Sequence, residues 1–258
     1  MEPVRLAATH RKMGWGGLFD LNVAGSGESS VPFLSVAHAV AEHASVVAEV
    51  GCGRGGWADS ADGLVPLQDF RGPRRRVIGI DIDPIGEQNP MIDEFRRIDE
   101  TGRWPLDDTS VDLAVSDWTL EHVQEPDIFV AELTRVLTPG GIFVARTVSR
   151  YSPLSIAARV VPNDRHVSIL SRLQPDRDAK DVFPTAYLMN SHRELHRLLD
   201  RNFDWSVSHR SDLSQYFLRW PRIARVIAAT EPHLPKMVRS TLVLHARKRG
   251  APFTSDRS

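Results

Sequence analysis

The sequence predicts an α/β fold: a doubly wound, mostly parallel sheet of seven strands, with an antiparallel C-terminal strand and a helical lid-like insertion. Three observations predict it. Short apolar runs that read as buried strands alternate with stretches of helical periodicity, the order expected of βαβ units. The first of those runs, Val46–Val50, empties into a glycine-rich turn. Near the end of the chain the alternation stops, and two further strand-like runs are left to pair antiparallel.

Each element has its own local reason. Residues 1–28 are glycine-rich and irregular (MGWGG, AGSGESS) and read as an arm. A helix is expected after Ser29 and Ser30, with Pro32 in its first turn and Phe33, Val36, Ala37, Val40 and Ala41 at helical spacing. The first strand is Val46–Val50, and the second runs from Arg76 to Ile80 and closes on Asp81. A weaker third strand lies at Phe95–Ile98 and a clearer fourth at Val111–Val115. Asp127–Leu137 has helical periodicity, which Thr138-Pro139-Gly140-Gly141 ends before a fifth strand at Ile142–Ala145. The pattern breaks over 150–190, which reads as a lid-like insertion. Ser191-His192-Arg193-Glu194 is a capping box before another helix. Phe203–Ser208 and Ser240–Ala246 are the last two strands. Residues 1–248 are thus read as one domain, followed by a polar, flexible tail over 249–258.

A chain of 258 residues suits one such domain with additions. Lys plus Arg number 32 against 33 Asp plus Glu, for a net charge of -1, a balance that argues against a general nucleic-acid binder. Cys52 is the only cysteine, so no internal disulfide can form, in keeping with a reducing cytosol. The first residues lack the apolar core of a signal peptide, and no apolar stretch reaches the roughly 18 residues needed to span a bilayer. A cytoplasmic location follows as the expectation. A peripheral membrane contact stays open, and the oligomeric state is not legible.

The chemistry is concentrated in Glu49-Val50-Gly51-Cys52-Gly53-Arg54-Gly55-Gly56. Glycines after a strand let the backbone turn sharply and let a ligand come close, although a tight structural turn would use them too. Gly51, Gly53 and Gly56 satisfy the dinucleotide pattern GxGxxG. Asp81, at the end of the second strand, has a carboxylate that can accept hydrogen bonds from ribose hydroxyls; it reads equally as a turn former. Glu49 separates the two cofactors that carry a ribose. A carboxylate there would repel a pyrophosphate, but it suits the ammonium and sulfonium of S-adenosylmethionine. The chain also supplies no second mononucleotide-binding half.

At these motifs the chain resembles the class I, Rossmann-like, S-adenosylmethionine-dependent methyltransferases, in their bacterial small-molecule and glycan-associated branch. The resemblance runs from Val46 to Val148. It implies that Glu49, Gly51, Cys52 and Gly53 line the methionine part of the cofactor, and that Asp81, with Ile82 beside it, meets the ribose. It further implies that Asp99 and Glu100 lie near the adenine, and that Asp117 and Trp118 stand on the cofactor-facing loop of SVDLAVSDWTLEHV. Glu132 to Gly141 is similar to the family's E-x-x-R-V-L-x-P-G-G signature. One departure is the long spacing from Gly51 to Asp81. Pro66, Gly72 and Pro73 fall inside it, which implies a shortened first helix or an extra loop.

The implied reaction is an in-line displacement at the sulfonium methyl, in which the protein mainly positions the nucleophile. A hydroxyl acceptor is helped by a general base. Asp117 and His122 are the candidates, and histidine is the side chain that ordinarily titrates nearest neutral pH. His122 has a structural reading beside this one, as a packing or capping residue. Trp118 reads equally as an adenine-stacking ring or a core filler. In the insertion, Arg150, Tyr151, Arg159, Asn163, Arg165 and His166 interleave with Leu154, Ile156, Val160 and Val161. This is a solvated face, a clasp for an anionic or glycan-lipid substrate, or a segment lying on a membrane surface. His192 and His196 read as surface helix residues, and no metal site is expected. Ser116-Asp117-Trp118-Thr119 lacks the Asn/Asp-Pro-Pro-Tyr/Phe pattern of base and glutamine N-methyltransferases, which lowers the nucleic-acid option further. The leading expectation is methylation of a small-molecule or glycan hydroxyl. A quinone or polyprenyl-lipid acceptor and a non-catalytic binding protein stand behind it; NAD-dependent oxidoreduction is disfavoured.

Overall fold

Successive residues of a β-strand point to opposite faces, so a strand covered on both sides must be apolar at every position. Val47, Val77, Leu113, Val144 and Val243 point to one face and meet Phe33, Leu34, Val36 and Ala37 of a helix. Their neighbours Ala48, Ile78, Ala114, Phe143 and Leu244 point to the other, against Phe129, Leu133, Leu195 and Leu199. The computed structural model that shows this describes residues 29–55, 65–160 and 185–250.

The strands are β1 (Val46–Val50), β2 (Arg76–Asp81), β3 (Glu94–Arg97), β4 (Val111–Asp117), β5 (Leu137–Val148), β6 (Phe203–Arg210) and β7 (Thr241–Lys248). They form one sheet in the order β3-β2-β1-β4-β5-β7-β6. Pairing is parallel from β3 to β5, and β7 is antiparallel to both β5 and β6. The helices are α1 (Ser30–Ala41), α2 (Val65–Gln68), α3 (Pro126–Val136), α4 (Pro153–Val160), α5 (His192–Leu199) and α6 (Pro221–Thr230). The α/β, doubly wound sheet expected from the alternating pattern is present.

Several local expectations are met and others shift. The Ser191 hydroxyl accepts from the Glu194 N–H, as a capping box requires. α3 ends at Val136, but Thr138-Pro139-Gly140-Gly141 belongs to β5 rather than to a loop. Leu137 already pairs with Val111, and the register then slips before Ile142 pairs with Leu113, so the Pro-Gly-Gly stretch is a bulge within the strand. Between β1 and β2 the described residues hold the four-residue α2, and residues 56–64 of that connection lie outside them. The arm over 1–28, residues 56–64 with Gly56, residues 161–184 with Asn163, Arg165 and His166, and the tail from 251 lie outside the described residues. No helix among the described residues is long and apolar enough to cross a membrane.

Candidate functional site

The site is assembled where β1, β2 and β4 end side by side. β1 turns after Val50, and the Gly51 N–H donates to the Ile80 carbonyl at 2.8 Å. Gly51 and Gly53 both take positive φ, 72° and 48°. At Gly51 a Cβ would strike the Thr119 side chain at 2.3 Å, so that glycine lets the loop after β4 pass beneath the turn. At Gly53 a Cβ would meet nothing within 4 Å, so that glycine faces open space. The Gly53 N–H donates to Asp81 Oδ2 at 2.9 Å, which ties the turn to the end of β2. Asp81 Oδ1 accepts from the Asp83 N–H at 2.9 Å. Ile82, the next residue, is 63% exposed.

Glu49 points into this turn from β1. Its Oε2 is buried and has no hydrogen-bond partner. Burial, reinforced by the charges of Asp117, Asp69 and Asp81, pushes its carboxyl up to about 8. Burial likewise pushes the Cys52 thiol up, so Cys52 serves the turn through its backbone, its carbonyl accepting from Asn89 Nδ2 at 2.9 Å. Asp99 and Glu100 are exposed just past β3. Asp99 is occupied by a local turn, accepting from the Thr101 N–H at 2.9 Å. The Ile98 N–H donates to the Asp81 carbonyl, which brings the ends of β2 and β3 together.

The loop after β4 carries the remaining expected residues. Both Asp117 oxygens accept from Arg146, Nε to Oδ1 and Nη2 to Oδ2, each at 2.7 Å. This carboxylate is therefore committed to a buried guanidinium, which is the physical objection to Asp117 as a base. Trp118 has φ of 53°, a left-handed conformation unusual for a large side chain. Two contacts hold it there: its N–H donates to the Arg146 carbonyl at 2.9 Å, and the Arg146 guanidinium lies 4.9 Å from its ring centroid. The Trp118 ring is therefore half-buried against a cation rather than packed into the core. The His122 N–H donates to the Thr119 carbonyl, and its ring is half-buried.

Two residues were not singled out from sequence. Arg146, near the end of β5, is 1% exposed and also donates to the Ser29 and Ser30 hydroxyls at the start of α1. Glu121 is buried and accepts from the Thr147 hydroxyl at 2.6 Å, while Asn190 Nδ2 donates to that same hydroxyl oxygen. Burial pushes the Glu121 carboxyl up, and His122 and Thr147 pull it back. The signal for both was a charged residue inside an otherwise apolar run, VARTV and TLEHV. His192 and His196 are exposed on α5 beside Trp205, as surface residues should be. No group of metal-ligating side chains occurs among the described residues.

A family model described as a methyltransferase domain matches residues 48–145, the stretch that builds this site. That match covers less than half of the chain. A "probable S-adenosylmethionine-dependent methyltransferase" of Mycolicibacterium smegmatis is 36% identical over 114 residues, 42% of this chain and 40% of that protein. An uncharacterised 37.1 kDa protein from a transposon of Streptomyces fradiae is 34% identical over 107 residues, 37% of this chain and 28% of that protein. The chain thus matches less than half the length of either relative. A solved methyltransferase of Thermotoga maritima, described as a possible histamine N-methyltransferase, superposes with a TM-score of 0.50 at 16% identity, covering 95% of this chain and 97% of that one. That likeness extends to the fold of the methyltransferase domain alone.

Proposed function

We propose that the protein is an S-adenosylmethionine-dependent methyltransferase that acts on a small-molecule or glycan hydroxyl by in-line methyl transfer. The observation that carries this reading is the orphaned, buried Glu49 carboxylate oxygen beside the open Gly53 turn. A buried polar atom without a partner is costly and calls for a ligand, and the ligand that suits a carboxylate is a cation. The residues present therefore fit the cofactor. Glu49 would take its ammonium, the Gly51-Cys52-Gly53 backbone would lie along its methionine part, and Asp81 would take its ribose hydroxyls. Exposed Ile82 would cover the adenine, with Asp99 and Glu100 at its edge. Once bound, the cofactor supplies an intrinsically activated methyl group.

The chain's own residues then have to hold an acceptor in line and manage one proton. Asp117 and Trp118, locked by Arg146, present the wall of the site after β4. His122, one turn further on, is the proposed base that removes the proton from the acceptor hydroxyl. Glu121 would orient that turn through Thr147. A second reading, a quinone or polyprenyl-lipid acceptor, is favoured by the exposed apolar residues near this end of the sheet, such as Tyr151 and Ile156.

Calorimetric titration with S-adenosylhomocysteine and, separately, NADH tests the proposal. Saturable binding of the first compound only, weakened at least tenfold in Glu49→Ala and in Asp81→Ala, is the expected result. Failure of the wild-type protein to bind S-adenosylhomocysteine would overturn it in favour of a binding protein on this fold.

A further inference from the structure

The connection from β6 to β7 carries an exposed apolar and basic surface. Arg210, the last residue of β6, pairs with Thr241, the first of β7, and Thr241 pairs with Val148 at the end of β5. The whole connection therefore leaves and returns at the end of the sheet where the cofactor turn lies. It is anchored there by buried polar contacts. The Ser29 N–H donates to Asp212, and the Leu213 and Ser240 N–H groups donate to the two oxygens of Glu231.

Outside those anchors its chemistry is one-sided. Residues 213–240 contain five Lys or Arg and a single acidic residue, in a chain whose net charge is -1. The acidic residue is Glu231, which is 1% exposed. Arg219, Arg222, Arg225 and Lys236 are exposed, and none has an acidic partner among the described residues. Between these cations stand apolar side chains in water: Leu218 at 65%, Val226 at 63% and Met237 at 59% exposure, with Trp220 and Ile223 beside them. On α6 only Ala224 is buried, so Ile223 and Val226 form an outward stripe flanked by Arg222 and Arg225.

We infer that this segment docks the protein on an anionic lipid surface, with α6 lying in the interface. Arginines without an acidic partner among the described residues, bracketing an aliphatic and Trp stripe, have two needs, negative charge and somewhere apolar to insert, and an anionic bilayer meets both. A nucleic acid would meet only the first. The consequence for chemistry is geometric: docking by this rim turns the strand ends of β1, β2 and β4 toward the membrane, where an amphiphilic or lipid-carried acceptor is held. Only that last consequence rests on the proposed methyl transfer; the docking surface does not.

Sedimentation with phosphatidylserine-containing and pure phosphatidylcholine vesicles tests it on the full chain. The wild-type protein is expected to partition onto the anionic vesicles and to be released by salt. Arg222→Gln and Arg225→Gln should each weaken partition about fivefold. Ile223→Ser with Val226→Ser should abolish the binding that survives at raised salt. All four positions are exposed and none belongs to the proposed cofactor site, so S-adenosylhomocysteine titration of the same variants should be unchanged and serves as the control for folding. Equal binding to neutral vesicles, no binding to either, or insensitivity to all these substitutions would overturn the inference. Vesicle binding by a protein that fails to bind S-adenosylhomocysteine would retain the surface and sink the proposed enzyme instead.

Discussion

Glu49 shows what one residue can report. Its carboxyl is pushed from the ordinary 4.5 up to about 8 by burial, with the charges of Asp117, Asp69 and Asp81 adding to the effect. The folded, ligand-free chain therefore keeps a proton that the unfolded chain loses. The stability this proton contributes is complete below pH 4.5 and is lost as the pH rises through about 8. Over that window the unfolding free energy should fall by about 5 kcal/mol, and Glu49→Gln should remove the fall. A cation bound beside Glu49 reverses the preference. At neutral pH, binding of S-adenosylhomocysteine should release a proton, seen as a dependence of the calorimetric heat on buffer ionisation enthalpy. The affinity should rise with pH until about 8. A heat that does not change with buffer would remove Glu49 from contact with the ligand's ammonium. Glu49 and Asp81 could be singled out in the sequence because their signal is local: an acid two residues before a glycine turn, and an acid at a strand end.

At the scale of elements, the E-x-x-R signature on α3 turns out to be a clamp. Arg135 pairs with Glu132 at 2.6 Å and donates to the carbonyls of Leu106 and Trp104, at 2.8 Å and 2.9 Å. Glu132 in turn accepts from the Trp104 N–H at 2.8 Å. One turn of helix thus holds the connection between β3 and β4 against the sheet and keeps Trp104 edge-on to Phe129. Arg135→Ala should lower the unfolding free energy by about 2–3 kcal/mol, because it strips two carbonyls and the carboxylates of Glu132 and Asp108 of a charged donor. A denaturant titration would read this as a lower midpoint, with cofactor affinity little changed; an unchanged midpoint would deny the clamp. The motif was legible, but its partners were not, since they lie on a connection about 30 residues upstream. α6 went unforeseen because a helix whose apolar stripe faces water has no core-facing pattern to find.

At the scale of the whole molecule, Arg146 joins parts far apart in the chain. It binds Asp117 at the end of β4 and the hydroxyls of Ser29 and Ser30, and it lies 5.0 Å from the Phe33 ring centroid. The Ser29 N–H carries the chain of contacts on to Asp212. Arg146→Met should cost about 3–5 kcal/mol, since it leaves the Asp117 charge beside a site that has lost its guanidinium. The melting temperature should fall, and Asp117→Asn in the same chain should recover part of the loss; two independent, additive losses would deny the pairing.

The sequence by itself determined the strands, the glycine turn, the two acids that flank it and the order that makes a doubly wound sheet. These depend on residues within a few positions of one another, where periodicity and backbone freedom act directly. Only the tertiary structure decided that Asp117 holds a guanidinium, that Glu121 is buried on Thr147, and that the basic, apolar connection between β6 and β7 stands at the same end as the glycine turn. Those relations join residues from 26 to over 100 positions apart. Sheet order and register bring them together, and no local pattern in the chain encodes either.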